Sequence, residues 1–441
     1  MVLSGGLMNI NGYFKFSKKL FVIKVKLFVA GYFFKRFLQN KNFIELILIL
    51  RRLNYFVGKI EHNKFAKIGK NTRIDMYIPG FPSKAFYTAC QKFSVFGEKL
   101  PCTTALISVT SACSYHCEHC YQKYDVGKDV DLGELITVVK NLQDKGIAFF
   151  NIEGGEPFLA FDRLLSVCQN IDDRSEIWVN STGNEITKEK LLQLKETSLK
   201  VIMFSLHSHK PDEINKFMGD DNAWKNLKNG IKLCHEVRIP VAFNSCLPLV
   251  DFKNGNFEKV MLLAKELGGV LIQIIKPKPS GGWLESGVEE YSVADFAMIK
   301  DKVNLYNQCK KYADYPAISA QIMEEDSNLF GCTAGGTDRF YINAKGDLQP
   351  CEFLNISFGN IAIDDFDEIY NKMRKAFEIP QTCIACEKFS TDIRKIHQEN
   401  NLKTLPLNPE LSAEVIDKIK FDQPTELYAK IEKKMTKRII K

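Results

Sequence analysis

The sequence predicts an α/β protein whose middle part is a parallel sheet covered by helices. The main observation is an alternation of short apolar runs with longer segments that show the 3.6-residue period of amphipathic helices. A hydrophobic content of 45% and a charged content of 26% are typical of a folded soluble protein. At 441 residues the chain is long enough for two or three units rather than one core.

Six apolar runs, bounded by loop-forming residues, are the predicted strands. They are residues 105–110, 148–152, 176–180, 200–205, 241–246 and 270–275. Helical periodicity between them predicts helices at residues 130–145, 191–196, 224–237 and 257–267. Strands and helices that repeat at this spacing favour a parallel sheet.

Three cysteines follow the first predicted strand, in the order Cys113-Ser-Tyr-His-Cys117-Glu-His-Cys120. Three thiolates at C-x3-C-x2-C spacing can hold three irons of a four-iron, four-sulfur cluster and leave the fourth iron open. Chance is a poor explanation, since 13 cysteines in 441 residues give an expected roughly 0.01 such triples. The alternative is a structural zinc site, in which His116 or His119 supplies a fourth ligand.

A second motif, Glu153-Gly-Gly-Glu-Pro157, follows the second predicted strand. Gly154 and Gly155 let backbone approach a ligand closely because they have no Cβ, and the carboxylate of Glu156 can accept a hydrogen bond from an ammonium group. By itself the motif could be a plain strand-to-helix turn. Placed one strand–helix unit after the cysteines, it resembles the radical S-adenosylmethionine (SAM) superfamily.

This resemblance implies the fold, the cofactors and the reaction. The fold would be an incomplete, TIM-like (β/α)6 barrel. Cys113, Cys117 and Cys120 would bind a 4Fe-4S cluster, and the segment from Gly154 through Gly155 and Glu156 to Pro157 would contact the SAM amino group. An electron from the cluster would cleave SAM into methionine and a 5′-deoxyadenosyl radical, which abstracts hydrogen from the substrate.

Polar residues at later strand ends are further candidates for SAM contacts. By the same resemblance, Ser181 and Ser205 stand where relatives contact the SAM ribose or carboxylate, and Asn244 is a weaker candidate. The alternative for each is an ordinary hydrogen-bonded residue at a strand end. His207 stands where many relatives have an acid, so its role is open. The loop 277–283 is expected at the barrel mouth, facing the substrate.

Four more cysteines lie near a predicted hairpin of residues 339–343 and 347–349. They are Cys332, Cys351, Cys383 and Cys386. Their arrangement resembles the SPASM domain in its shorter "twitch" form, because no cysteine follows Cys386 to complete a second auxiliary site. The resemblance implies one auxiliary 4Fe-4S cluster with four thiolates and an electron-transfer role. A zinc ribbon is the alternative.

The predicted organisation has four parts. Residues 1–101 are a basic, apolar, mostly helical N-terminal region, and residues 102–290 are the radical SAM core barrel. Residues 291–390 are a linker helix and the auxiliary cluster domain, and residues 391–441 are a C-terminal tail. The remaining cysteines are isolated and are interpreted as buried or incidental: Cys90, Cys102, Cys168, Cys234, Cys246 and Cys309.

Charge is concentrated at the N-terminus. Residues 1–73 contain 15 Lys/Arg and two acids, whereas the rest of the chain has a net charge of −6. No apolar run approaches the ~20 residues needed to span a bilayer. Basic residues around bulky apolar ones suit helices lying on an anionic membrane. The alternative is a helical domain packed against the barrel. No nucleic-acid-binding pattern is present. Residues 74–104 are expected to be an irregular bridge.

The predicted function is that of a radical SAM oxidoreductase or maturase-type enzyme acting at an unactivated C–H bond. A lipid or membrane-held substrate is preferred over the alternative, a ribosomal peptide or protein to be matured; a small molecule also fits. The opposing class is a non-catalytic zinc or iron-sulfur electron carrier. The expected partner is a reductant such as flavodoxin or ferredoxin. Thirteen cysteines without a signal peptide indicate the cytoplasm, with residues 1–73 as a candidate attachment to the inner face of the cell membrane.

Overall fold

The computed structural model describes residues 15–40, 43–60, 62–93, 102–419 and 423–436. The predicted N-terminal region and tail therefore extend outside the described residues at both ends of the chain. The strands are β1 (Ala66–Ile68), β2 (Asn71–Arg73), β3 (Thr104–Ser108), β4 (Phe149–Glu153), β5 (Glu176–Ser181), β6 (Leu199–Ser205), β7 (Val241–Cys246), β8 (Leu271–Ile275), β9 (Ala317–Ala320), β10 (Arg339–Ile342) and β11 (Leu348–Gln349).

Helices alternate with strands through the middle of the chain. They are α1 (Lys15–Asn40), α2 (Phe43–Lys59), α3 (Lys84–Cys90), α4 (Leu132–Asp144), α5 (Phe161–Gln169), α6 (Lys188–Lys195), α7 (Pro211–Met218), α8 (Ala223–Val237), α9 (Leu249–Lys253), α10 (Asn256–Glu266), α11 (Val293–Gln308), α12 (Gln321–Glu324), α13 (Phe366–Ala376), α14 (Ala385–Lys388), α15 (Ser390–Glu399), α16 (Pro409–Ile416) and α17 (Glu426–Thr436).

One nine-stranded sheet organises the molecule, in the order β11-β10-β3-β4-β5-β6-β7-β8-β9. Strands β3 to β9 run parallel and pair in chain order. The sheet does not close, so the predicted α/β fold with an incomplete barrel is confirmed. All six predicted strands are present, and β9 adds a parallel strand that the sequence analysis did not predict.

The predicted hairpin is also confirmed, because β10 and β11 pair antiparallel. Gly346 turns between them with a φ of 93°, a conformation that favours glycine. β10 also pairs parallel with β3, so the hairpin extends the sheet of the barrel. The predicted divisions of the chain at residues 101, 290 and 390 stay predictions.

The amino ends of the barrel strands are closed from inside by the segment that follows β2. Met76 packs in a buried cluster with Phe149 and Trp178, and Tyr77 packs against that cluster. Arg73 forms a buried ion pair with Glu176 at the start of β5. The predicted irregular bridge was therefore wrong in part: its residues plug the barrel and form α3. Residues 94–101, including Pro101, lie outside the described part.

The N-terminal helices pack on this closed end of the barrel. Val25 and Leu53, from α1 and α2, share a small cavity wall with Thr103 and Asp338, which directly precede β3 and β10. Val25 and Leu53 also belong to a buried apolar cluster that includes Tyr428 of α17. No helix in the described part of the chain is long and apolar enough to cross a bilayer.

Candidate active site

A cavity of about 480 Å³ opens at the carboxyl ends of the barrel strands. This is the edge of a parallel sheet at which α/β proteins place their ligands, because loops from neighbouring strands converge there. The cavity wall includes eight of the residues singled out from the sequence: Cys113, Cys117, Cys120, Gly154, Gly155, Ser181, Ser205 and Asn244. Five separate chain segments contribute them.

The loop with the three cysteines is fixed by its neighbours in the fold. Asp129 accepts hydrogen bonds from the Ser111 amide, at 2.9 Å, and from the Thr110 hydroxyl, at 2.7 Å. The His116 amide donates to the Met218 carbonyl at 3.1 Å. The Gly282 amide donates to the Cys120 carbonyl at 2.9 Å, so the predicted mouth loop 277–283 packs directly on the cysteine loop.

The three thiols have the chemistry of metal ligands. Burial raises the pKa of Cys113 to about 11 and also raises the pKa of Cys117 and Cys120. Thiols in such surroundings become thiolates together with a bound cation, whose charge compensates theirs. Within the described residues, no three His, Cys, Asp or Glu side chains are placed to hold a single metal ion. A four-iron cluster does not need three ligands around one metal ion, because each iron binds its own thiolate.

The two glycines of the second motif are required by the cysteine loop. A Cβ on Gly154 would lie 2.6 Å from the Thr110 carbonyl oxygen, and one on Gly155 would lie 2.3 Å from the Ala112 carbonyl oxygen. The Gly155 and Glu156 amides donate to these same two carbonyls at 2.7 and 2.8 Å. The glycines therefore join the loops after β3 and β4 at the cavity wall.

Glu156 lies behind the cavity wall, and neither it nor Pro157 lines the cavity. The Glu156 side chain is fully buried. One carboxylate oxygen accepts from the Ser181 hydroxyl at 2.9 Å and the Phe158 amide at 3.1 Å. The other accepts from the Thr182 amide at 2.7 Å and the Thr182 hydroxyl at 2.5 Å. Four donors of the chain hold this carboxylate, so direct acceptance from a ligand ammonium stays a prediction.

We expect Glu156→Ala to retain iron but to weaken SAM binding at least tenfold, because Ser181 and Thr182 lose the acceptor that positions them at the cavity. The buried donors that are left without an acceptor also lower the free energy of unfolding, by about 3 kcal/mol. Isothermal titration of the reconstituted protein with SAM and thermal unfolding measure both effects. Glu134→Ala, an exposed acid on α4, is the control and should change neither. Loss of iron would instead make Glu156 a support of the cysteine loop.

Two histidines that line the cavity form an aromatic cluster. The His119 ring stacks on Phe217 with a centroid distance of 4.5 Å and meets His207 at 4.7 Å. The backbone amide of Cys246 donates to His207 Nδ1 at 3.1 Å, so Nε2 of the neutral ring must carry the proton. Burial lowers the pKa of His207 well below its usual value, which keeps the ring neutral. In the described residues His207 Nε2 has no acceptor. It is a donor available to a ligand oxygen.

Two cavity residues were not proposed as site residues from the sequence. Glu153 and Asn180 line the cavity, and the Asn180 amide donates to the Glu153 carboxylate at 3.0 Å. Burial raises the pKa of Glu153 to about 8. Lys278 and Trp283 reach the cavity from the mouth loop. The quoted motif contains Glu153, but only the pairing of β4 with β5 shows that Asn180 lies beside it.

The second group of cysteines lies beside a narrow buried cavity of about 20 Å³. Cys332, Cys351 and Cys386 line it, and Cys383 is not part of its wall. Burial raises the pKa of the three lining thiols. The side chain of Phe353 lines both this cavity and the large one. Three thiols in one buried wall are a donor set that fits an iron-sulfur cluster.

Comparison with known families decides the classification. The radical SAM superfamily matches residues 107–265, and the SPASM iron-sulfur cluster-binding domain matches residues 332–387. The chain is a radical SAM protein with a C-terminal SPASM domain. These two domains carry the 4Fe-4S cluster that works with SAM and an auxiliary cluster, as the sequence predicted.

Individual relatives of this radical SAM protein are distant. It is 23% identical to the AdoMet-dependent heme synthase of Methanosarcina barkeri over 309 residues, which cover 63% of this chain and 86% of that protein. It is 24% identical to the probable GTP 3′,8-cyclase of Methanococcus maripaludis over 294 residues, covering 64% and 92%. The fold is similar to that of Streptococcus suis SuiB bound to the precursor peptide SuiA, with a TM-score of 0.51, 16% identity, and coverage of 65% of this chain and 72% of that one.

A buried ion network connects the two cysteine sites of the radical SAM protein. The ammonium of Lys278, which lines the large cavity, lies 2.6 Å from a carboxylate oxygen of Glu325 and 2.8 Å from one of Glu387. Glu325 lines the narrow thiol cavity, and Glu387 directly follows Cys386. Lys276 makes a second contact with Glu387 at 2.9 Å. The network fixes the mouth loop to the SPASM domain.

Proposed function

We propose that this chain is a radical SAM enzyme that abstracts hydrogen from an unactivated C–H bond, and that Cys113, Cys117 and Cys120 hold its catalytic cluster. The observation that carries the proposal is the cavity itself: the three thiols, the paired glycines and the polar strand ends form one wall. When bound, the cluster and SAM supply the hydrogen-abstracting radical. The protein's task is to orient them and to exclude water.

The polar residues of the cavity bind and orient the cofactor. Ser181, Ser205 and Asn244 belong to the cavity wall and are the proposed contacts to the ribose and carboxylate of SAM. His207 adds one N–H donor with a fixed tautomer. The ring centroids of Trp283, from the mouth loop, and His119 are 5.6 Å apart. Trp283 is proposed to shield the histidine side of the cavity from water.

Cys332, Cys351, Cys383 and Cys386 are the proposed ligands of the auxiliary cluster. Four thiolates leave no open iron, which supports electron transfer rather than substrate binding. Phe353 contributes to both cavity walls, so the two sites are neighbours, which supports the proposed electron transfer between them. The external reductant is proposed to be a flavodoxin or ferredoxin.

The substrate class is a finer proposal. The N-terminal helices cover the amino ends of the strands, whereas the cavity opens at the carboxyl ends. A lipid lying beneath these helices would be on the far side of the barrel from the cavity. We therefore favour the alternative, a ribosomal peptide or protein to be matured, over a lipid lying in the bilayer.

Electron paramagnetic resonance of the reduced, reconstituted protein tests the proposal. We expect SAM to change the spectrum of one cluster and not the other, because only the three-thiolate cluster has an iron open to a ligand. The Ser181→Ala/Ser205→Ala double variant should need more SAM for the same change. Absence of any SAM effect on wild-type protein would favour the opposing class, an electron carrier.

A further inference from the structure

Helix α1 exposes a continuous apolar stripe on the side that faces away from the protein. Its members recur every three, four or seven residues, so at 100° per residue they fall within an arc of about 60°. Each is at least half exposed: Phe16, Leu20, Ile23, Leu27, Phe34 and Leu38. Large apolar side chains arranged this way indicate a surface that binds something, since scattered exposed residues would not align.

The opposite face of α1 packs against the rest of the protein. Phe21, Val25, Val29 and Phe33 are buried in the cluster that the helix shares with α2 and the plug segment. They lie about 180° around the helix from the exposed stripe. From the sequence alone, packing on the barrel and membrane attachment were alternatives. Because α1 has two apolar faces, packing of one face against the other described residues leaves the second face exposed.

Charge identifies the partner of the open face. Helix α1 contains seven Lys/Arg residues and no Asp or Glu. Lys19, Lys24 and Lys35 are exposed and flank the stripe. A second copy of this chain would place an equally basic helix against the first, which repulsion opposes. A surface of anionic lipid headgroups over an apolar interior complements both the cations and the stripe.

We propose that the outward face of α1 is a docking surface for an anionic lipid bilayer, with the helix lying in the plane of the interface. The Phe, Leu and Ile side chains enter the acyl boundary, and the flanking lysines contact the headgroups. The proposal does not depend on the radical SAM reaction.

Vesicle co-sedimentation of the full-length, reconstituted protein tests the docking surface. We expect wild-type protein to bind phosphatidylglycerol-containing vesicles at low salt and to bind pure phosphatidylcholine vesicles far more weakly. Leu20→Ser/Leu27→Ser/Leu38→Ser should weaken binding at least tenfold. The control is Val293→Ser/Ile363→Ser, which removes two exposed apolar side chains elsewhere, 88% and 85% exposed, and should bind as wild type does.

The lysines are tested separately. Lys19→Gln/Lys24→Gln/Lys35→Gln should weaken binding to anionic vesicles by about a hundredfold at low salt and much less at high salt, where screening already reduces the attraction. Circular dichroism and iron content should match wild type in every variant, since all eight positions are exposed. Both measurements separate a binding defect from unfolding or cluster loss.

Three results would overturn the proposal. The first is wild-type protein that does not bind anionic vesicles at low salt. The second is unchanged binding by the Leu→Ser variant. The third is a concentration-dependent dimer in analytical ultracentrifugation that the Leu→Ser variant abolishes, since the stripe would then be an interface between two copies. Vesicle binding without SAM cleavage would leave docking intact and contradict only the proposed enzyme.

Discussion

Replacing Cys113, Cys117 and Cys120 together by alanine should lower the iron content of the anaerobically reconstituted protein from about eight to about four irons per chain. The physical reason is that these thiols are the only proposed ligands of one cluster, while the auxiliary site has a separate thiol set across the narrow cavity. Iron and acid-labile sulfide assays, with the ultraviolet-visible spectrum, measure the change. Zinc would give no such absorption.

Two matched variants make this result specific. Cys309→Ala removes an isolated cysteine outside both cavities and should leave about eight irons. Replacing all four auxiliary cysteines by alanine should also leave about four irons. The electron paramagnetic spectrum of the cluster that remains should then change when SAM is added. Retention of all eight irons after the Cys113, Cys117 and Cys120 replacements would contradict the ligand assignment.

The Lys278→Met variant should lose about 3 kcal/mol of unfolding free energy, because partly buried Glu325 loses the ammonium that it contacts and Glu387 keeps only Lys276. The Lys278 side chain is only 1% exposed. Burial by itself lowers the pKa of Lys278, but the negative charges of Glu325, Cys386 and Glu387 raise it above its usual value, so the ammonium stays charged. Denaturant titration of the reconstituted protein measures the loss.

A surface ion pair provides the control for this variant. Lys84 and Asp173 approach to 2.8 Å, but their side chains are 71% and 65% exposed. Lys84→Met should therefore cost less than about 1 kcal/mol. Adding Glu325→Gln to Lys278→Met should recover part of the stability, since one uncompensated charge is removed. Equal effects of Lys278→Met and Lys84→Met would contradict the role of the buried network.

The six barrel strands could be predicted because each contains a short run of mostly apolar residues, as is typical of buried parallel strands. β9 was missed because Ala-Ile-Ser-Ala is short and mostly small, and its burial comes from pairing with β8. The plug was missed for a different reason. Tyr77 lies in a proline-containing segment without periodicity, and Arg73 ends the strand before it. Only tertiary packing in the Trp178 cluster and the ion pair with Glu176 give them their place.

The candidate site was predictable where its chemistry is local in sequence. The spacing of Cys113, Cys117 and Cys120 is such a signal, and so are the two adjacent glycines. The environment of Glu156 was not predictable, because its four donors belong partly to another strand end. Lys278 gave no signal either: a lysine in a loop is ordinarily solvated, and this one is buried by residues more than 45 positions away.

Formation of 5′-deoxyadenosine tests the central claim most directly. Reduced, reconstituted wild-type protein is incubated with SAM under anaerobic conditions, and the product is quantified by liquid chromatography and mass spectrometry. We expect slow formation of 5′-deoxyadenosine even without substrate, and formation at the background rate by the variant lacking Cys113, Cys117 and Cys120. Wild-type protein that contains both clusters and binds SAM but forms no 5′-deoxyadenosine would contradict the proposed enzyme.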